Sequence, residues 1–477
     1  MHFKYLEWII VFLFFLINVS LFNLHPINYE YTFVDAAKYF QTYDENILKD
    51  YSKLQSNTLG LSLLIYFLSK VFFFENLFII GKFISASSNF ILYFAFRNFN
   101  KFFNYKYYIF LLIILFLNPL VWIYSSRIST DIFPASAIVL SVSFLLSNVI
   151  SKKRLLLSAC LFLIGVILKP NLLILISLPI LIIFFKNKNF KKNIFNISIF
   201  ALINILGLAS YYFYSIKSFG FFITTLNSLN SFSGFVFVLN NFITYLGIMC
   251  IFLMPFMLNN FKEKFNLRNS IFIVSFFLVS HFSIPDKTSF GEIGLGPFDF
   301  FSHKTLKALY LSLSILFIIN LIDIFKKIEK RKKKNCLIIF FSIILYIFIL
   351  SFFRPAQRYL IPAMLLIYVL IFHYIVSIRI IILTIFLFVL LNFYSTINTI
   401  NRSIVSKKII LYLLDNNLLY ITNPGIVTDS FNWVKINRES NQEKKYLLKL
   451  KDKDCIKSFE SKILFFKKDY CLAYNDQ

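Results

Sequence analysis

Long apolar runs alternate with short polar stretches from the N-terminus to about residue 396. Runs such as WIIVFLFFLINVSLFNL and LYLSLSILFIINLIDIF carry at most one charge and are continuously apolar. A helix of about 20 such residues crosses about 30 Å of hydrocarbon, whereas a membrane barrel needs strands that alternate. The pattern predicts an all-α polytopic membrane protein of about thirteen transmembrane helices. They fall at about 8–24, 77–96, 107–124, 131–149, 155–168, 170–185, 194–215, 237–258, 270–284, 304–325, 336–353, 360–376 and 380–396. The pair 155–168 and 170–185 is a broken stretch hinged at LKPN, because Pro170 disfavours helix at Lys169. Short or broken helices of this kind line internal cavities.

Charge sets the orientation. The clusters RNFNKFFNYK, SKKR, KNKNFKK, KEKFNLR and KKIEKRKKK separate apolar runs and read as cytoplasmic loops, with Lys4 marking the N-terminus inside. The run 58–74, TLGLSLLIYFLSKVFFF, is then a helix that lies in the interface or re-enters. If it crossed, every later basic cluster would invert. The C-terminus falls outside. Residues 1–399 form the transmembrane domain, with a first outer loop at 25–76 carrying amphipathic interfacial helices and a second at 125–130. Residues 400–477 form a small extramembrane tail of mixed, α/β-like pattern.

Composition agrees. With 58% hydrophobic residues, 64 Phe and a mean hydropathy of +0.72, the 477-residue chain has more apolar surface than a soluble domain hides. The net charge of +26 would suggest nucleic acid in a soluble protein. Here it is divided among short separate loops, which excludes the contiguous basic face that nucleic acid requires. Attraction to anionic membrane lipid accounts for it. Cys455 and Cys471 share the tail, where a disulfide is an option outside the cell.

Four polar sites on the outer side carry candidate chemistry. In YTFVDAAKYF, Asp35 stands among apolar positions 33, 36, 37 and 40, the spacing of a short amphipathic helix on the membrane; the same residues also suit a solvated loop. In YSSRISTDIFP, Ser129, Thr130 and Asp131 precede a span as an N-cap does, with Pro134 in the first turn and Arg127 alongside. Such a helix start also favours anions. Lys169 at the hinge either snorkels or meets a phosphate. Arg354 and Arg358 in FFRPAQRYLIP sit outside, against the charge rule, and the guanidinium fork matches phosphate. GEIGLG follows no strand and reads as a flexible loop. His281, Asp286, Glu292, Asp299 and His303 lack metal-ligand spacing; Glu292, Asp299 and His303 are candidate acceptor or loop contacts.

In this order and on this side of the membrane, the motifs resemble the GT-C superfamily of polytopic glycosyltransferases, above all the bacterial protein O-mannosyltransferase and aminoarabinose transferase-like members. YTFVDAAKYF occupies the place of their first outer loop and its essential acid. YSSRISTDIFP is similar to their second-loop pattern at Arg127 and Asp131, GVILKPN to a hinge carrying Lys169, and RYLIP to a late motif at Arg358, Tyr359 and Pro362. LQSNTLGLSLLIYFLSKVFF fills the slot of an amphipathic helix but lacks the prolines that precede it. The resemblance covers residues 1–375. It implies transfer of a sugar from a polyprenyl-phosphate donor to a glycan, lipid or protein acceptor hydroxyl, with inversion and no organic cofactor. Asp35 would be the base. Arg358, then Lys169, Arg127 and Arg354, would bind the donor phosphate. Asp131 would orient the acceptor, position the Asp35 loop or hold a divalent ion if one is used. An O-antigen-type polymerase or ligase, or a transporter of lipid-linked glycans, are the alternatives.

Overall fold

The structure is a computed structural model. It describes residues 2–20, 33, 34, 37, 60–146, 150–186, 189–219, 235–257, 267–283, 305, 308–315, 317, 318, 326, 330–352, 357–372, 377–415, 446–450, 463–467 and 470–474. In chain order the helices are α1 (His2–Ser20), α2 (Gly60–Phe72), α3 (Leu77–Phe103), α4 (Tyr108–Leu117), α5 (Pro119–Ser125), α6 (Ile132–Leu145) and α7 (Lys152–Leu168). A 3-10 segment, Pro170–Ile176, leads into α8 (Ser177–Phe184). Then follow α9 (Phe190–Phe219), α10 (Phe235–Met257), α11 (Leu267–Ser283) and α12 (Lys330–Leu350). A 3-10 turn, Gln357–Leu360, opens α13 (Ile361–Ile371), and α14 runs from Ile378 to Asp415.

Among the described residues, four helices are long and apolar enough to cross a membrane, within 77–103, 190–214, 332–350 and 378–397, or up to five if α4 and α5 count as one bent span. Their outward faces keep large apolar side chains uncovered, Phe213 at 70% and Phe393 at 67% among them. In water that surface would be untenable over such lengths; against lipid tails it is the expected exterior. The chain is an integral membrane protein.

The expected span 107–124 is broken. α4 and α5 meet at Asn118 with a bend of 63°. Pro119 follows, and Asn118 takes an extended ψ of 127° while its side chain caps Leu120 N–H at 3.0 Å. The freed backbone is held by neighbours: Asn392 Nδ2 donates to Leu117 O at 2.7 Å, and Asn118 Nδ2 donates to the Tyr368 hydroxyl at 2.6 Å. α2 has only 13 residues, about 20 Å of helix, too short to cross the hydrocarbon. It lays Leu61 and Ile65 against α3 and leaves Phe67 and Phe72 uncovered, as an interfacial helix should.

The basic clusters meet at one end. Lys332 at the start of α12 donates to Phe103 O at the end of α3 (3.3 Å). Lys334 donates to Phe185 O after α8 (3.2 Å), and Lys186 to Leu146 O after α6 (3.3 Å). Each lysine caps the negative end of a helix, so the clusters tie helix ends together as well as carrying charge. Three of the five clusters are placed by these contacts, and SKKR opens α7 soon after Leu146; KEKFNLR lies largely outside the described residues.

Beyond residue 400 α14 continues unbroken to Asp415. The tail carries a three-stranded antiparallel sheet of β1 (Tyr446–Leu450), β2 (Ile463–Lys467) and β3 (Tyr470–Tyr474), in the order β1-β3-β2. The stretch ILFFK is the strand β2. GIVTDSFNWVKI and Cys455 lie outside the described residues.

Candidate functional site

Three of the four polar motifs converge at the end of the bundle opposite the basic clusters. α7 begins in the SKKR cluster and ends about 25 Å further along, at Lys169. There Pro170 forces Lys169 into extended backbone, φ −148° and ψ 90°, as the hinge reading anticipates. The break turns the lysine inward, where only 6% of it is exposed.

Its partner is Asp131. Lys169 Nζ donates to Asp131 Oδ1 in a buried ion pair. Asp131 does stand at the N-cap of α6, but its carboxylate makes no cap hydrogen bond. The capping expectation is therefore correct in position and wrong in partner. A charged side chain 4% exposed gains far more from a buried ammonium than from a backbone amide. Local contacts hold the segment: Asp131 N–H donates to Ser129 Oγ at 3.4 Å, and Ser129 N–H to Ser85 Oγ of α3 at 3.5 Å.

The RYLIP motif closes the site. Lys169 Nζ lies 5.1 Å from the centre of the Tyr359 ring, and Arg358 Cζ lies 5.5 Å from the same ring. The two cations thus share one aromatic face-partner. The turn that carries them is held by Tyr346 of α12, whose hydroxyl donates to Tyr359 O at 2.9 Å.

The first motif arrives through packing. Phe33, Val34 and Ala37, which flank Asp35, are buried in one cluster with Leu61, Ile65, Ile80, Ile128 and Leu168. Ile128 adjoins Arg127, and Leu168 adjoins Lys169. The cluster therefore places the YTFVDAAKYF segment beside the other two. Gly60 tightens it: a Cβ there would stand 2.4 Å from Ile167 O. Backbone cannot yield as a side-chain tip does, so Gly60→Ala is expected to cost about 1–3 kcal/mol and lower the melting temperature. An unchanged melt would show that α2 does not seat on α7.

Asp35, Arg354, Asp286, Glu292, Asp299 and His303 lie outside the described residues. His281 is on α11, stacked on Phe277 at 6.0 Å between ring centres. Among the described residues no three His, Cys, Asp or Glu side chains come together as a metal site. Tyr346 was not a sequence candidate. It lies within an apolar run, and only the α12–turn contact reveals it.

Comparison with known proteins gives two similar solved structures, crystal structures of ArnT from Cupriavidus metallidurans in the apo state and bound to undecaprenyl phosphate. Sequence identity is 9% and 10%, the TM-scores are 0.48 and 0.49, and each alignment covers 99% of this chain and 98% of the other. No family model matches the chain, and no curated protein matches it significantly.

Proposed function

We propose that the protein is a GT-C-type glycosyltransferase that moves a sugar from a polyprenyl-phosphate donor to an acceptor hydroxyl at the outer face of the bacterial inner or plasma membrane. It would have about thirteen crossings, the N-terminus cytoplasmic and the tail outside. The observation that carries the reading is the seating of Lys169 and Arg358 on one tyrosine ring beside Asp131. Two fixed cations at a helix break, at membrane depth, suit a lipid phosphate better than any soluble anion.

The chemistry is a single displacement. Asp35 takes the proton of the acceptor hydroxyl. The oxygen attacks the anomeric carbon, and the bond from that carbon to the phosphate oxygen breaks with inversion. The electron pair leaves on the lipid phosphate, where Arg358, Lys169 and Arg127 offset the growing charge. Asp131 orients Lys169 toward the phosphate. Arg354 would extend the phosphate site, and Glu292, Asp299 and His303 would contact the acceptor. The donor would be a hexose or pentose.

The test is to feed membranes containing the protein with radiolabelled polyprenyl-phosphate sugars and envelope acceptors, and to determine the anomeric configuration of the product. Consumption with inversion supports the reading. Retained configuration would remove the single displacement, and no consumption would move the polymerase and transporter alternatives ahead. Within that assay Arg358→Lys is expected to lower kcat about 10- to 100-fold, because an ammonium keeps the charge and loses the fork. An equal rate would remove Arg358 from the phosphate site.

A further inference from the structure

The phosphate-binding reading leaves one fully buried group beside the site without a role. Tyr346 is 0% exposed and carries a hydroxyl deep in an apolar helix. A phenylalanine would fill the same space without bringing a polar atom into the membrane interior. The hydroxyl has a defined target, the carbonyl of Tyr359 at 2.9 Å. That carbonyl belongs to the short turn Gln357–Leu360, which presents Arg358 and the ring on which both cations rest. A four-residue 3-10 turn is weakly held by its own hydrogen bonds.

α12 is well placed to act as the anchor. Its basic start is fixed to the ends of α3 and α8 through Lys332 and Lys334, and Tyr346 lies about 21 Å further along the same helix. One hydroxyl therefore ties a helix fixed at the cytoplasmic end to the turn that sets the spacing of two phosphate-binding cations.

We propose that Tyr346 is a positioning residue for the lipid phosphate: through Tyr359 O it fixes the turn that holds Arg358 and Lys169 in register. This rests on the phosphate-binding reading of the site. Phosphate recognition by two cations depends on their separation, so a small rotation of the turn weakens binding even though both charges remain.

The test uses the full-length purified protein in lipid nanodiscs with undecaprenyl phosphate as the probe. Wild type, Tyr346→Phe and Tyr368→Phe are compared for affinity and melting temperature. Tyr368 is a matched control: its buried hydroxyl accepts from Asn118 Nδ2 at the α4–α5 break. Tyr346→Phe is expected to weaken lipid-phosphate binding about tenfold, a change of about 1.4 kcal/mol, while Tyr368→Phe leaves affinity unchanged. Both are expected to fold, since each removes one oxygen atom. Equal affinity for wild type and Tyr346→Phe would overturn the positioning role and leave the phosphate site standing. Equal weakening by both variants would also overturn it, as general loosening of the bundle. No binding by wild type would remove the phosphate site itself, and the inference with it.

Discussion

Asp131→Ala is expected to lower stability by about 3–5 kcal/mol and to abolish transfer. The argument starts from burial: Asp131 and Lys169 are both nearly inaccessible, and each is the other's ion-pair partner. Removing the carboxylate leaves an ammonium with its desolvation penalty uncompensated. Lys169→Met is expected to do comparable damage by leaving the carboxylate. The double variant Asp131→Leu/Lys169→Met removes both charges together and is expected to recover most of the stability, since apolar replacements of buried pairs are often neutral. It is not expected to recover activity, because the proposed phosphate ligand Lys169 has gone. Melting temperatures in detergent beside transfer rates give the comparison. If Asp131→Ala melts with the wild type, the pair is not desolvated and the site is open to water. If the double variant is no more stable than either single one, the two residues do not act as a pair.

The pair also shows how far the sequence could be read. Lys169 and its break were legible because the residue before proline is restricted to extended backbone, a rule that needs no tertiary information. The same rule, applied to Asn118-Pro119, would have found the bend between α4 and α5; the continuous apolar run 107–124 concealed it. Asp131 was legible as a helix start but not as an ion-pair partner. N-cap chemistry is local, and the competing ammonium comes from 38 residues away. Tyr346 could not be read at all, because tyrosine in an apolar run carries no signal of what its hydroxyl meets; Tyr359 was legible as a member of the RYLIP motif but not as the ring two cations share. The membrane class, the shortness of α2 and the gathering of basic loops at one end followed from hydropathy and charge, which act along the chain and survive without knowledge of packing.

The order of the motifs had a physical consequence that their spacing alone did not. Asp35, Arg127 and Lys169 are distant in sequence, yet the apolar residues beside each of them share one small cluster. That cluster is separate from the main core, which runs from Val11 to Phe388. The two are joined through α3 and α7, which contribute residues to both, so the bundle holds the site's cluster in place.

Asp35→Asn is expected to lower kcat by about 10²- to 10⁴-fold, the usual contribution of a general base, and to leave the melting temperature unchanged. The substitution keeps the size of the side chain, so Phe33, Val34 and Ala37 retain their seat against Ile128 and Leu168. The assignment gains from what Asp131 is doing. The Asp131 carboxylate is already engaged, accepting from Lys169 Nζ in the buried pair. Among the described residues Asp131 is the carboxylate at this break, and it is held by Lys169; the proposed function gives the proton to Asp35 of the first outer loop. The two aspartates are therefore expected to separate experimentally: Asp35→Asn loses rate alone, whereas Asp131→Ala loses rate and stability together. Transfer at the wild-type rate by Asp35→Asn would move the base to another outer-loop acid. Loss of stability without loss of rate at Asp131 would make the ion pair a strut, and Lys169 would then be no phosphate ligand.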